Sequence, residues 1–278
     1  ICNILLDRPS SIYAPVFEGI YTAAEKEGYS TILVALPGPP EEVRPFKQVV
    51  GIDCSDGVIL WAGSAKIVEK FLPLPKFIRK PIVTINTILE GTNIPSVTLN
   101  NVRGGYLATH YLGELSHTRI GFIGGSNRDT FNDRFTGYKD ALSELGLPYD
   151  ESLITFGLGD LDSGFEEMKR LLAASMPPTA VFVTNDAMAV GAIKAILDEG
   201  MRVPDDMSVV GYDDASPSRY SIPPLTTIRQ PMELMGQVAA ELLIRLLQSD
   251  TDHRQDEGER IVIESELVLR DSCRAVTP

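Results

Sequence analysis

At 278 residues the chain is long enough for one or two domains with a full core. Hydrophobic residues make up 44% and charged residues 23%, which excludes a disordered or fibrous chain. Lys and Arg number 25 against 38 Asp and Glu, a formal charge of −13, and a surface this acidic repels phosphate. The chain by itself is therefore not expected to bind nucleic acid. Its three cysteines, Cys2, Cys54 and Cys273, are far apart and odd in number. Neither a disulfide framework nor a zinc site is expected, and a reducing, cytoplasmic setting fits. No apolar run reaches transmembrane length, so no membrane partner is expected.

In chain order, short β-rich runs alternate with helical periodicity. Asn3–Leu6 reads as a strand. Tyr13, Phe17, Ile20, Tyr21 and Ala24 then recur at helical spacing, with Gly28 placed to end the helix. Thr31–Leu36, Gly57–Trp61, Pro81–Asn86 and Ser96–Leu99 read as strands. They are rich in Val, Ile and Thr without clean alternation, as in parallel strands buried on both faces. The pattern then restarts: strand Arg119–Gly124, helix Phe135–Leu145, strand Ala180–Thr184, helix Asp186–Glu199, strand Met207–Tyr212. An amphipathic helix spans Met235 to Leu247. Ser249–Glu259 reads as a solvated loop, and Arg260–Leu269 as one or two strands.

The halves echo each other. Gly19, Ile20, Ala23 and Gly28 recur as Gly137, Tyr138, Ala141 and Gly146 at identical spacing. GVILW corresponds to AVFVT, and PIVTIN to SVVGYD. Two similar doubly wound α/β lobes are expected, with a ligand beyond the carboxyl ends of their strands. The residues there are Asp7, Trp61 and Asn86 in the first lobe. In the second they are Asn127–Arg134, Asn185-Asp186 and Asp213-Asp214. They suit the gripping of hydroxyls, amides or ring faces.

Catalytic signatures are missing: the sequence has no GxxxxGK[ST], HExxH or GxSxG. Gly157 and Gly159 lack a third glycine and a clear strand–helix junction, so they read as a flexible loop. His110, His117 and His253 have no nucleophile beside them and read as surface or packing residues. Asp205-Asp206 reads as a turn. No metal and no cofactor is expected.

Val203–Asp214 (VPDDMSVVGYDD), Ser218–Pro231 (SRYSIPPLTTIRQP) and Thr179–Ile196 (TAVFVTNDAMAVGAIKAI) resemble the effector-binding core of the LacI/GalR family of bacterial transcription regulators. Asn100–Leu112, His117–Gly125 and Asp133–Leu142 extend the resemblance, which covers nearly the whole chain. It implies a type I periplasmic-binding-protein-like α/β fold, two doubly wound parallel-sheet subdomains with a ligand cleft between them. Residues 1–98 plus 232–256 would form the N-subdomain, and 99–231 plus 257–278 the C-subdomain.

The resemblance also implies site residues. Arg134, Asp213, Asn185, Asn86, Gln230 and Tyr13 match ligand-contact positions. Trp61, the sole tryptophan, stands where it either stacks on a ligand ring or packs inward. Ser10-Ser11 replaces an Asn-Pro helix start, and Tyr220 matches a subunit-pairing region. The implied partners are a small polar effector, a sugar or derivative, a second copy of the chain, and operator DNA reached only through a headpiece absent from this sequence. The alternatives are a solute receptor of a transport system and an enzyme acting in the cleft.

Overall fold

A computed structural model describes residues 1–6, 12–35, 55–71, 80–125, 129–249 and 258–276. Asp7, Ser10-Ser11, Cys54, Asn127 and His253, singled out above, lie outside them. The chain forms two compact units, Ile1–Leu99 with Pro231–Ile263 and Asn100–Gln230 with the segment from Glu264 on. It passes between them after Leu99, Gln230 and Ile263. The last passage was expected after residue 256. It falls later because the strand Arg260–Ile263 (β11) pairs in parallel with the strand Ser96–Leu99 (β5) and so belongs to the first unit.

The first unit contains β1 (Cys2–Leu6), α1 (Tyr13–Lys26), β2 (Ile32–Ala35), β3 (Val58–Ala62), α2 (Ala65–Phe71), β4 (Ile82–Ile85), β5, α7 (Met232–Gln248) and β11. Its sheet order is β11-β5-β4-β3-β1-β2. The second unit contains α3 (Asn101–Glu114), β6 (Ile120–Gly125), α4 (Asp129–Glu144), β7 (Ile154–Gly157), α5 (Leu161–Leu172), β8 (Ala180–Val183), α6 (Asp186–Asp198), β9 (Ser208–Asp213), β10 (Thr226–Arg229) and β12 (Glu266–Val268). Its order, β12-β10-β9-β8-β6-β7, repeats the first sheet position for position. The correspondence in sheet position of β3 to β8 and of β4 to β9 is the one the sequence echo predicts. The exception is the last strand: β12 runs antiparallel to β10, whereas β11 is parallel to β5.

Strand side chains alternate between two cores. Ile123, Val181, Val183 and Val209 pack with α5 and α6, while Phe122, Phe182, Val210 and Tyr212 pack with α3 and α4. Burial on both faces explains why these strands read as unbroken apolar runs. The recurring glycines have a physical role. A Cβ on Gly19 would lie 2.0 Å from the Glu233 carbonyl of α7, and one on Gly137 would lie 2.0 Å from the Val102 carbonyl of α3. Each is the point where the first helix after its unit's first core strand crosses a neighbour at backbone contact.

The segment around Gly157 and Gly159 departs from the expected loop. β7 ends at Gly157 and Asp160 caps α5 through a reciprocal box with Ser163, so the glycines do sit at a strand–helix junction. β7 is a short edge strand with Phe156 half exposed, which hides it from an apolar-run reading. Among the described residues no helix is long and apolar enough to cross a membrane.

Candidate functional site

Asn185, Asp213 and Gln230 stand at the carboxyl ends of β8, β9 and β10, and Arg134 lies on α4, the helix that follows β6. Arg134, on α4, is 4% exposed. Its Nε donates to Asn101 Oδ1 at 2.9 Å and its Nη1 to the Thr184 carbonyl at 2.5 Å. The guanidinium lies over the rings of Tyr212 and Phe131, 3.6 and 5.4 Å from their centroids. Nη1 is 3.9 Å from the Asp213 carboxylate, whereas no ion pair joins Arg134 to Asp133 or Asp140 among the described residues. The fork is thus fixed in direction by neutral acceptors and by the aromatic ring beneath it.

Asp213 ends β9 and Gln230 follows β10, its neighbour in the sheet. Gln230 Nε2 donates to Asp213 Oδ1, and the Gln230 backbone N–H donates to the Asp213 carbonyl at 3.3 Å. Because a carboxylate only accepts, the side-chain bond fixes the amide's orientation and turns Gln230 Oε1 outward from the pair. Oε1 is buried and has no hydrogen-bond partner among the described residues, although Gln230 is only 5% exposed. A buried acceptor left unmet costs free energy until a donor arrives.

The next residue has a different task. The Asp214 carboxylate accepts from Arg229 Nε at 2.7 Å, from Arg219 at 3.4 Å and from Arg270. Burial pushes its pKa up, but Arg270 and Arg229 together outweigh burial and hold it below the usual carboxylate value. Asn185 caps α6: its Oδ1 accepts from the Met188 N–H at 2.7 Å and its Nδ2 donates to the Gly159 carbonyl at 2.9 Å. Both ends of that amide are engaged within the unit. Asp205 and Asp206 are held by Arg202 and Arg274 around a turn, as expected.

In the first unit, Trp61 near the end of β3 is 7% exposed and belongs to the core. The ring of Tyr13, at the start of α1, meets it edge to face with centroids 4.5 Å apart. Asn86 follows β4 with φ 58°, and its Oδ1 is a second buried acceptor without a hydrogen-bond partner among the described residues. Thr87 Oγ1 donates to the Ala62 carbonyl at 2.8 Å and ties the loop after β4 to β3. Tyr220, at the end of the turn Ser216–Arg219 in the second unit, is 81% exposed beside Ile222 at 85%. Sequence reasoning passed over Asn101 and Tyr212, which support Arg134. The signal for Tyr212 was its place directly before Asp213 in SVVGYD.

The comparisons agree with this architecture. The family described as "Periplasmic binding protein-like domain" matches residues 109–273. The HTH-type transcriptional repressor PurR of Haemophilus influenzae (strain PittEE) is 34% identical over 274 residues, spanning 98% of this chain and 81% of the relative. A solved transcriptional regulator CelR–cellobiose complex is 28% identical with a TM-score of 0.85, covering 98% of this chain and 84% of that one. The lac repressor dimer bound to operator and the anti-inducer ONPF is 25% identical with a TM-score of 0.84, covering 99% and 94%. Fold and site thus define a periplasmic-binding-protein-like ligand receptor. The chain belongs to the LacI/GalR family of transcription regulators and is the effector-binding core of such a regulator, not the solute receptor of a transport system.

Proposed function

We propose that the effector is a small neutral polar molecule, a sugar or sugar derivative, held by Arg134, Asp213 and Gln230 of one unit and by Tyr13, Trp61 and Asn86 of the other. The observation that carries this is the unmet Gln230 Oε1 beside Asp213. Together they form an acceptor pair that asks for hydroxyl donors, while Arg134 supplies the donor. Asn185 serves through the loop it ties to Gly159. The ligand is bound and not turned over.

A ligand touching both carboxyl edges favours the arrangement in which both sets of contacts form. Two copies pair through the surface around Tyr220, and the response reaches operator DNA in the cytoplasm. The resemblance of the fold to a regulator solved with cellobiose and to a repressor dimer solved on its operator supports this reading.

The test is thermal unfolding of the chain against cellobiose, ribose, other neutral sugars, sugar phosphates and purines. A ligand at ~100 times its Kd stabilises by about 2.7 kcal/mol. A neutral sugar is expected to raise Tm, and Asp213→Asn to abolish the rise. Stabilisation by purines alone would overturn the sugar assignment, and stabilisation by sugar phosphates alone would overturn the neutrality of the effector.

A further inference from the structure

Asp213 and Asp214 carry positive φ angles of 126° and 54° in succession. Residues with a Cβ hold such backbone only where their surroundings over-determine it. One buried carboxyl group is hydrogen-bonded to the chain immediately past the pair. Asp186, the first residue of α6, is 1% exposed. Its Oδ2 accepts from the Ala215 N–H at 2.8 Å, the first amide past the strained pair. Its Oδ1 accepts from the Thr227 hydroxyl of β10 at 2.6 Å. Gly211 leaves room for it, since a Cβ there would lie 2.4 Å from Oδ1.

The Asp186 side chain therefore joins α6, the turn after β9 and β10. The charged groups facing it are Asp213 and Asp214, both of its own sign. Burial first, and the Asp213 charge second, push Asp186 well above the ordinary carboxylate range against the opposing pull of Thr227 and Ala215.

We propose that Asp186 is a positioning residue for the ligand site, clamping Ala215 and Thr227 so that Asp213 is presented in its left-handed backbone conformation toward Gln230 and Arg134. Asp186 is too deeply buried to meet a ligand and acts through Asp213. The inference rests on the reading of Asp213 as a ligand acceptor and supplies the reason its carboxylate points one way. A merely structural Asp186 would complement the amino end of α6 as an acidic first-turn residue. It would then leave the turn and the Asp213 signals untouched.

The experiment is carbon- and nitrogen-detected NMR of the ligand-free chain. The Ala215 amide and the Asp186 carboxyl carbon are expected to titrate with one shared midpoint above the ordinary carboxylate range. The Asp213 carboxyl carbon should show an inflection at that same midpoint, because it senses the charge arriving on its neighbour. In Asp186→Asn, which keeps the size and removes the ionisation, the Ala215 titration and the Asp213 inflection both disappear. In Asp186→Ala, the amide–Hα couplings of Asp213 and Asp214 leave the values of positive φ.

An Ala215 titration that persists in Asp186→Asn would overturn the proposal, as would unchanged couplings in a folded Asp186→Ala. Should Asp186→Ala not fold, the Asp186→Asn titration decides alone. The ligand reading fails separately, if Asp213→Asn leaves ligand stabilisation intact while the clamp is still observed.

Discussion

Arg134 and Tyr212 share one acceptor. The guanidinium carbon lies 3.6 Å from the centroid of the phenol ring, and Asn101 Oδ1 receives both the Arg134 Nε–H at 2.9 Å and the Tyr212 hydroxyl at 3.3 Å. Gly104 makes the arrangement possible, since a Cβ there would lie 2.3 Å from the Tyr212 oxygen. Asn101→Ala therefore strands two buried donors, at about 1–3 kcal/mol for each. Urea unfolding should show that loss. Arg134→Lys keeps the charge without the fork or the stack, and is expected to abolish ligand-induced stabilisation in a chain that still folds.

The glycines of the sequence echo separate two physical causes. Gly137→Ala drives a methyl to 2.0 Å from the Val102 carbonyl, so α3 and α4 must part, at about 1–3 kcal/mol or more. Gly146→Ala meets nothing within 4 Å but sits at φ 67°, so its cost, about 1 kcal/mol, is local to the backbone. Urea midpoints should rank Gly137→Ala as the more destabilised. The reverse order would refute the crossing argument.

His117 makes stability depend on pH. Its Nε2 faces the Arg274 carbonyl at 3.1 Å and so carries the proton, leaving Nδ1 to accept from the Thr179 hydroxyl at 2.9 Å. Burial lowers its pKa, and the bond to the Arg274 carbonyl offsets only part of that. The unfolded chain therefore binds the proton first. The neutral imidazole's contribution is fully present above the ordinary value of 6.5 and is lost as pH falls toward the lower native value. Asp186 acts in the opposite sense: its raised native pKa makes stability fall as pH rises from 3.8 toward that value. The two windows can overlap, so the contribution is read as the difference between the parent and His117→Gln. That difference should shrink on acidification below 6.5, and a constant difference would refute it.

Tyr220 and Ile222 stand out from the second unit at 81% and 85% exposure. Under the proposed pairing, Tyr220→Glu combined with Ile222→Glu places charge in a surface that excludes water. Light scattering should then report a monomer where the parent chain is a dimer. A parent chain that is already monomeric at micromolar concentration would remove this surface from the pairing proposal.

Much of this architecture was legible in the sequence because parallel strands buried on both faces form unbroken Val/Ile/Leu runs, and because α1 and α4 each need a glycine at one depth. β7 was not, since an edge strand of four residues with one side exposed has little apolar signal, whereas α5 carries Phe165, Met168, Leu171 and Leu172 at helical spacing and was passed over. Asp213 could be placed at a strand end from the pattern alone, whereas Gln230 comes only from the family resemblance, because β10 before it does not read as a strand. The roles of Asn101 and Asp186 could not be read from the pattern, because each depends on partners distant in sequence: Asn101 meets Arg134 and Tyr212, and Asp186 meets Ala215 and Thr227. Asn185 shows the converse, an amide in the expected place whose hydrogen bonds are taken by Met188 and Gly159.

Synthesis from the amino end leaves both sheets waiting on the same late stretch of chain. β11 closes one sheet against β5 and β12 closes the other against β10, with only Glu264 and Ser265 between them. Until that stretch leaves the ribosome, the borders on that side are the buried strands β5 and β10 rather than the more exposed β11 and β12. Exposed strand borders invite pairing with other chains. A stop codon just before Arg260 would leave two sticky borders rather than one damaged lobe, and such a chain should be found in aggregates.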